Sequence, residues 1–405
     1  MSETISLLSK LITYPSITPQ ECGIYTLLKD FLSPLNQHYT THIIEQENQG
    51  VKNLFWIALP RHITIENQTE NQTLHSKNLE GLMHLCFAGH IDVVPAGEGW
   101  DNDPFSGQVK EGIMYGRGTQ DMKSGVSAFM CAIKDFLLQD SLSSSPMPFA
   151  LSILLTSDEE GEGTYGTKVM LDQLKTLGIL PHFCIVAEPT ATEKSGDTLK
   201  IGRRGSLNGI LRIKGKQGHV AYPEKCLNPV EILGHKLGDL AGINLDNGDE
   251  NFTPSKLIIT DIRGGMEVVN VTPNELKIMF NVRFSPASSE DSIRSYVQEV
   301  LGNISYDLEL KTSSLPFITS RDSKLITHLS QVISHLYTFT PTLSTSGGTS
   351  DARFFAAFGV EVVELGVPND RIHAINERVS CQDVENLYQI FRNLLQSFYL
   401  SNPKE

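Results

Sequence analysis

Apolar positions recur along this chain in two rhythms. In the first forty residues Leu7, Leu8, Leu11 and Ile12, and then Leu27, Leu28, Phe31 and Leu32, repeat at helical spacing. They predict two helices separated by a Tyr14-Pro15-Ser16-Ile17-Thr18-Pro19 turn. Val126, Phe129, Met130, Ile133, Phe136 and Leu137 predict a mostly buried helix over 124–138. Between Leu85 and His373 the second rhythm takes over: five short apolar runs or turns, each leading to an acidic residue or a histidine. Leu85 to Gly89 runs into His90-Ile91-Asp92, and the Gly116-Arg117-Gly118 turn runs into Asp121. Leu151 to Leu155 leads to Asp158-Glu159-Glu160, Phe183 to Ala187 stops at Glu188-Pro189, and Val360 to Leu365 precedes a loop carrying His373. Strand, helix and strand alternate up to Glu188, which predicts parallel βαβ units. In open α/β sheets, groups at the carboxyl ends of strands converge on one crevice.

Near Gly202 the character changes. Strands of alternating pattern (Gly209 to Ile213, Leu257 to Ile262, Glu275 to Phe284) follow, with helices at Pro229 to Ala241 and Ser289 to Leu301. That is the look of an antiparallel α+β insert, and the αβ pattern resumes from Lys324. The expected fold is therefore α/β. A domain with a mostly parallel mixed sheet flanked by helices, over 1–204 and 317–405, is interrupted by a smaller α+β domain over 205–316. A chain of 405 residues exceeds one ordinary core, so two domains are the default. Residues 61–80, rich in Asn, Gln and Thr, read as a polar surface insertion, and Ser141 to Pro148 as a Ser/Pro loop.

Charge narrows the partners. A formal net charge of -14 argues against a broad nucleic-acid or anionic-membrane surface, since both call for a basic patch. A local arginine cluster could still hold a small anion. The six cysteines lie far apart, without a C-x-x-C pair or a dense disulfide framework, and Cys86, Cys131 and Cys184 sit inside apolar runs. The first ten residues lack a basic start followed by a long apolar stretch, and no run approaches the roughly 20 apolar residues of a membrane span. A soluble cytoplasmic protein is the expectation.

The strand-end residues carry the candidate chemistry. In an extended chain i and i+2 share a face, so the Asp92 carboxylate can accept the second N–H of His90 while the other ring nitrogen binds metal. Alone, the same tripeptide reads as a solvated strand end. Asp121, at a tight turn before a buried helix, can bridge two cations; on local grounds an N-cap is the simpler reading. In Asp158-Glu159-Glu160, neighbouring side chains point apart, so one glutamate can ligate while the other stays free to take a proton. Their mutual repulsion makes sense if a cation sits among them. Two divalent cations carry four positive charges; Asp121, Glu160 and Glu188 answer three, and a bridging hydroxide the fourth. With two histidines this is a nitrogen and oxygen donor set without thiolate, suited to zinc, cobalt or manganese.

Phe87 to Pro95, Trp100 to Phe105, Tyr115 to Lys123 and Thr156 to Gly161 resemble, in order, the successive motifs of the M20 metallopeptidase family. Gly202 to Asn208, Gly215 to Pro223, Asn270 to Pro273, Thr345 to Phe354 and Asn369 to His373 extend the resemblance to nearly the whole chain. Within the family these segments are most similar to members that cleave the succinyl amide of N-succinyl-LL-2,6-diaminopimelate; acetylornithine-type substrates are the alternative. The resemblance implies two zinc ions, with cobalt able to replace them. His90 and Glu188 would hold one, Glu160 and His373 the other, and Asp121 would bridge. It further implies Glu159 as general base, Asp92 as orienting acid, and a homodimer built on the smaller domain. His219 of that domain would reach the partner's site to help hold an oxyanion. Arg203, Arg283, Asn270, Gly348, Thr349 and Asn369 match positions that hold the carboxylates and amide of a small N-acyl amino acid. The arginines make independent sense, because a guanidinium fork binds carboxylate through two parallel bonds. Ser124 in place of a glycine, the Glu224-Lys225-Cys226-Leu227 stretch and Glu231 in place of a histidine depart from the family pattern.

Overall fold

The computed structural model describes residues 1–60, 79, 81–140 and 147–401. Almost all of the 61–80 insertion, and 141–146 of the Ser/Pro loop, lie outside the described residues. The chain forms two compact units. The larger contains Met1–Ile201, Thr319–Ser344 and Ser350–Glu405; the smaller contains Gly202–Ile318 together with the short segment Thr345–Thr349.

The larger unit is built on an eight-stranded sheet. Its order is Thr40–Asn48, Val51–Leu59, Phe149–Thr156, Met83–His90, Phe183–Val186, Glu361–Glu364, Thr198–Lys200 and Thr342–Ser344. The first two strands form an antiparallel hairpin edge, and the four strands from Phe149–Thr156 to Glu361–Glu364 run parallel. Their residues are buried almost continuously rather than in alternation because both faces are covered; every residue of Phe149–Thr156 is buried. On one face, helices Lys123–Asp140 and Cys381–Ser401 pack against each other. There Phe87 meets Phe129 with ring centroids 5.7 Å apart and Phe391 at 5.2 Å. Each fully buried aromatic or aliphatic side chain of this kind contributes roughly 1.5–3 kcal/mol.

Two helices flanked by a turn form where the apolar spacing predicts them, at Glu3–Ile12 and Ile24–Leu32, and the buried helix runs over Lys123–Asp140. The first turn of that helix lies very close to the sheet. A Cβ added at Gly125 would stand 2.3 Å from the Ala187 carbonyl oxygen, immediately before Glu188.

The smaller unit is a four-stranded antiparallel sheet in the order Lys256–Gly264, Glu275–Phe284, Gly205–Lys214, Tyr306–Ser314. Glu275–Phe284 shows the alternation of a sheet with one covered face. Helix Glu290–Leu301 opens on a capping box formed by Ser289 and Ser292 and turns Ile293, Val297 and Leu301 inward. The helix expected over Pro229 to Ala241 ends at Gly234 and passes into a single 3-10 turn, Leu237–Asp239. Glycines at 234, 238 and 242 give the backbone too much freedom to sustain it.

Replacing Gly125 with Ala should destabilise the protein by about 1–3 kcal/mol through overpacking, although alanine is the better helix former. Denaturant midpoints of the two proteins measure it; an equal or higher midpoint in the variant would mean that helix and sheet can separate freely.

Candidate metal centre

Three neighbouring parallel strands end at one place. Met83–His90 finishes on His90, Phe149–Thr156 leads to Glu159 and Glu160, and Phe183–Val186 leads to Glu188. The register aligns His90 with Thr156, so these ends are level. Asp121 comes from the turn ahead of helix Lys123–Asp140, and His373 from the loop after Glu361–Glu364. His373 has a φ of 58°, in the left-handed region that costs a residue with a Cβ of the order of 1–3 kcal/mol.

Two ligand groups result. His90, Asp121 and Glu188 form one and Asp121, Glu160 and His373 the other, with the donor atoms of each within 4.8 Å of one another. Asp121 belongs to both: its Oδ1 lies 3.1 Å from His90 Nε2 and its Oδ2 3.4 Å from His373 Nε2. Glu160 Oε1 is 3.0 Å from His373 Nε2. Glu159 stands beside the first group without being a member, its Oε2 being 3.8 Å from His90 Nε2.

The His90 ring is held from behind, though not as the strand geometry suggested. Its Nδ1 lies 2.9 Å from the main-chain carbonyl of Asp92, with carboxylate Oδ1 at 3.5 Å. A carbonyl only accepts, so Nδ1 carries the proton and Nε2 is the nitrogen turned toward Asp121. The Asp92 Oδ2 instead accepts from the Thr18 hydroxyl at 2.7 Å and the Glu160 N–H at 3.2 Å. The strand ends at His90, so the i, i+2 rule no longer governs the position of Asp92.

Burial and neighbouring charges shift the protonation of most of this cluster. Burial pushes the Glu188 carboxyl well above the usual range, and the charges of Asp121 and Glu159 add to it. Burial does the same to Glu159, against the pull of His90. For His90, burial acts downward, but the bonds to Asp121 and Asp92 outweigh it and hold the ring well above its ordinary value. His373 is pushed up to about 10 by its bonds to Asp121 and Glu160. Burial also opposes ionisation of Asp121, but its two histidine partners win and hold it low. Glu188 Oε1 is buried with no hydrogen-bond partner, an expensive state for a carboxylate oxygen. A mixed imidazole and carboxylate donor set, one member shared between two groups, and an orphaned buried oxygen all fit a pair of divalent cations.

The other predicted residues divide between the units. Asn369 belongs to the larger unit, where its N–H donates to the Ala191 carbonyl at 3.2 Å. Arg203, Arg283, His219, Asn270, Gly348 and Thr349 belong to the smaller. Arg203 is buried and donates from Nη1 to the Ser346 carbonyl at 2.8 Å, bracing the Thr345–Thr349 segment. Arg283 Nη1 and Arg204 Nε are buried without partners, and burial together with the Arg204 charge lowers the Arg283 pKa. His219 and Asn270 are exposed; the His219 Nδ1 accepts from the Ala221 N–H at 3.1 Å, and Asn270 accepts through its carbonyl from the Val220 N–H at the same distance.

Sequence reasoning gave no role to Arg117 and did not find Glu377. They form a buried ion pair at 2.7 Å beneath the Asp121 turn. Arg117 lies within the Tyr115 to Lys123 motif, whereas Glu377 lies in a stretch with no periodic signal.

Residues 86–397 match the model of peptidase family M20/M25/M40, well over half of the chain. The chain belongs to that family. A succinyl-diaminopimelate desuccinylase of Helicobacter hepaticus is 61% identical over 99% of this chain and 98% of its own length. One of Wolinella succinogenes is 52% identical over 96% of this chain and 98% of its own. Among solved structures, aminopeptidase PepT of Bacillus cereus superposes with a TM-score of 0.76 at 18% identity, covering 98% of both chains. The YXEP protein of Bacillus subtilis, a dinuclear metal-binding peptidase of the M20 family, gives 0.67 at 13% identity, again covering 98% of both.

Divalent cations should stabilise this M20 protein by mass action, by about 2.7 kcal/mol at a concentration 100 times the dissociation constant. Thermal unfolding with and without chelator reads this directly. In His373→Ala, elemental analysis should find one bound equivalent fewer than in the parent; an unchanged count would exclude His373 as a ligand.

Proposed function

We propose that this protein is a metal-dependent amidohydrolase. It cleaves the succinyl amide of N-succinyl-LL-2,6-diaminopimelate to succinate and LL-2,6-diaminopimelate, a step of diaminopimelate and lysine biosynthesis. Near-full-length identity of 61% to a desuccinylase supports the substrate. The observation that carries the chemistry is Asp121, shared by two ligand groups beside an uncommitted Glu159. His90, Asp121 and Glu188 would hold one cation and Asp121, Glu160 and His373 the other, zinc being the expected ion and cobalt a workable substitute. Such a pair supplies a Lewis acid for the amide oxygen and lowers the pKa of a water toward neutrality.

The chain's own residues do the rest. Glu159 takes a proton from the attacking water and delivers it to the departing amine nitrogen. Asp92 fixes His90 through its carbonyl and braces the Glu160 main chain through its carboxylate. Arg203 and Arg283 bind carboxylates of the substrate, and the unpartnered Nη1 of Arg283 is a donor ready for one. Asn270, Gly348, Thr349 and Asn369 supply neutral hydrogen bonds to the amide and carboxylates, and His219 stabilises the oxyanion from a partner subunit.

The partner is a second copy of this chain, bound through the smaller unit. Val220, Tyr222, Leu227, Val230 and Val269 are exposed there, and the edge strand Lys256–Gly264 presents Ile258 and Ile262 to solvent. An uncovered edge with exposed apolar side chains favours pairing. No helix among the described residues is long and apolar enough to cross a membrane, and the proposed location is the cytoplasm.

The zinc- or cobalt-loaded protein should turn over N-succinyl-LL-2,6-diaminopimelate far faster than N-acetylornithine. The reverse order would reassign the substrate within the family. Glu159→Gln should lose turnover by at least 100-fold while keeping both metal equivalents; retained activity would take the base role from Glu159. Sedimentation should find a dimer, and a fully active monomer would remove His219 from the reaction.

A further inference from the structure

The two ligand-bearing segments that are not strand ends, the Asp121 turn and the His373 loop, are joined by one buried ion pair. Arg117 and Glu377 are 2% and 0% exposed. Glu377 faces the turn: Oε2 accepts from Arg117 Nη1 at 2.7 Å and the Gly118 N–H at 3.1 Å. Its Oε1 accepts from the Gln120 N–H at 2.8 Å and the Asp121 N–H at 3.3 Å. Arg117 faces the loop, donating to the carbonyls of Ala374 at 3.2 Å and His373 at 3.3 Å, and also to Ala96 at 3.1 Å. Gln120 adds a second tie, donating to Asp370 Oδ1 at 2.7 Å and accepting from the Arg371 N–H at 2.8 Å. The arrangement is crossed, because the arginine of the turn grips the loop and the glutamate of the loop grips the turn.

We infer that Arg117 and Glu377 are a positioning pair: they set the separation of Asp121 from His373 and so the affinity of the cation site made by Asp121, Glu160 and His373. The inference rests on the dinuclear reading above. Three physical points support it. A buried pair is retained at a desolvation cost that only close geometry and further hydrogen bonds offset, and here both carboxylate oxygens and both Nη atoms are used. His373 sits in a left-handed backbone conformation, which persists only where its surroundings over-determine it; the Arg117 fork on the carbonyls of His373 and Ala374 does so. The Glu188 side of the centre needs none of this, because His90 and Glu188 are carried by adjacent strands of the sheet.

The clamp therefore acts on one site more than on the other. Arg117→Lys keeps a charge for Glu377 but loses the fork on the loop carbonyls; Glu377→Gln keeps the shape and loses the charge. Apoprotein of each is titrated calorimetrically with zinc alone, and the cobalt(II)-loaded forms are compared by visible absorption. Wild type should take up two equivalents. Arg117→Lys should bind the first as wild type does and the second about 10- to 100-fold more weakly, the usual effect of losing a group that orients ligands. Its cobalt spectrum should change for the second equivalent only. Glu377→Gln, which also loosens the turn carrying the shared Asp121, should weaken both equivalents but the second more, at an apoprotein melting temperature close to that of wild type.

Two wild-type affinities in both variants would overturn the inference while leaving the dinuclear centre in place. Loss of both sites in step with the melting temperature of the apoprotein would also overturn it, as a generally loosened fold. Uptake of fewer than two equivalents by wild type would remove the dinuclear reading itself, and this inference with it.

Discussion

Like charges held close together in a dry place dominate this structure. His90 and Glu188 end or follow adjacent parallel strands, and Glu159 and Glu160 follow the strand on the other side of His90, so their side chains project into the same small volume. Sheet hydrogen bonding sets strand spacing at under 5 Å, so the acids that follow the strands on either side of His90 are kept near it. Asp121 is brought to them by a helix that packs on the same strands. The interior then answers the repulsion with protons on imidazoles and carboxyls, or with cations. Ordinary packing supplies the force that assembles this charged site: Phe87, Phe129 and Phe391 clamp helices to sheet, and the charges ride on their ends.

That division of labour explains where tolerance and intolerance lie. The centre depends on backbone approach distances set by small residues: Gly125 against the Ala187 carbonyl, and Gly366, where a Cβ would stand 2.2 Å from the Glu188 carbonyl. Both hold Glu188 from the main-chain side. In the other half only Glu160 follows a strand of the sheet. His373 comes from a loop, is roughly half exposed at its side chain and has a strained backbone, so it depends on the Arg117 and Glu377 pair. One candidate ligand group is thus framed mainly by the sheet, while the other includes a loop tied by a buried ion pair.

The smaller unit follows a different logic. Its one-faced antiparallel sheet buries a modest core and leaves apolar side chains on its edge strand and nearby turns. Its arginines differ in their partners: Arg203 donates from Nη1 to a carbonyl of its own unit, while Arg204 Nε and Arg283 Nη1 are buried with no hydrogen-bond partner. Unspent donors in a partly dry environment suit an anionic ligand better than a structural bond.

Chain length and the change of apolar pattern near Gly202 pointed to two units, and the apolar rhythm to parallel strands with acidic or histidine termini, because strand ends in a parallel sheet are legible wherever an apolar run stops. Convergence of His90, Asp121, Glu160, Glu188 and His373 could be anticipated on the same ground, with family resemblance naming their roles. Tertiary structure alone decided three things. The segment Thr345–Thr349 groups with the smaller unit, although its chain neighbours on both sides belong to the larger. Asp92 meets His90 mainly through its carbonyl, because the chain leaves the strand before the side-chain alternation can apply. Glu377 sits 260 residues from Arg117 in a stretch without period. Pairing across such a distance depends on where two loops end up, and local sequence carries no record of that.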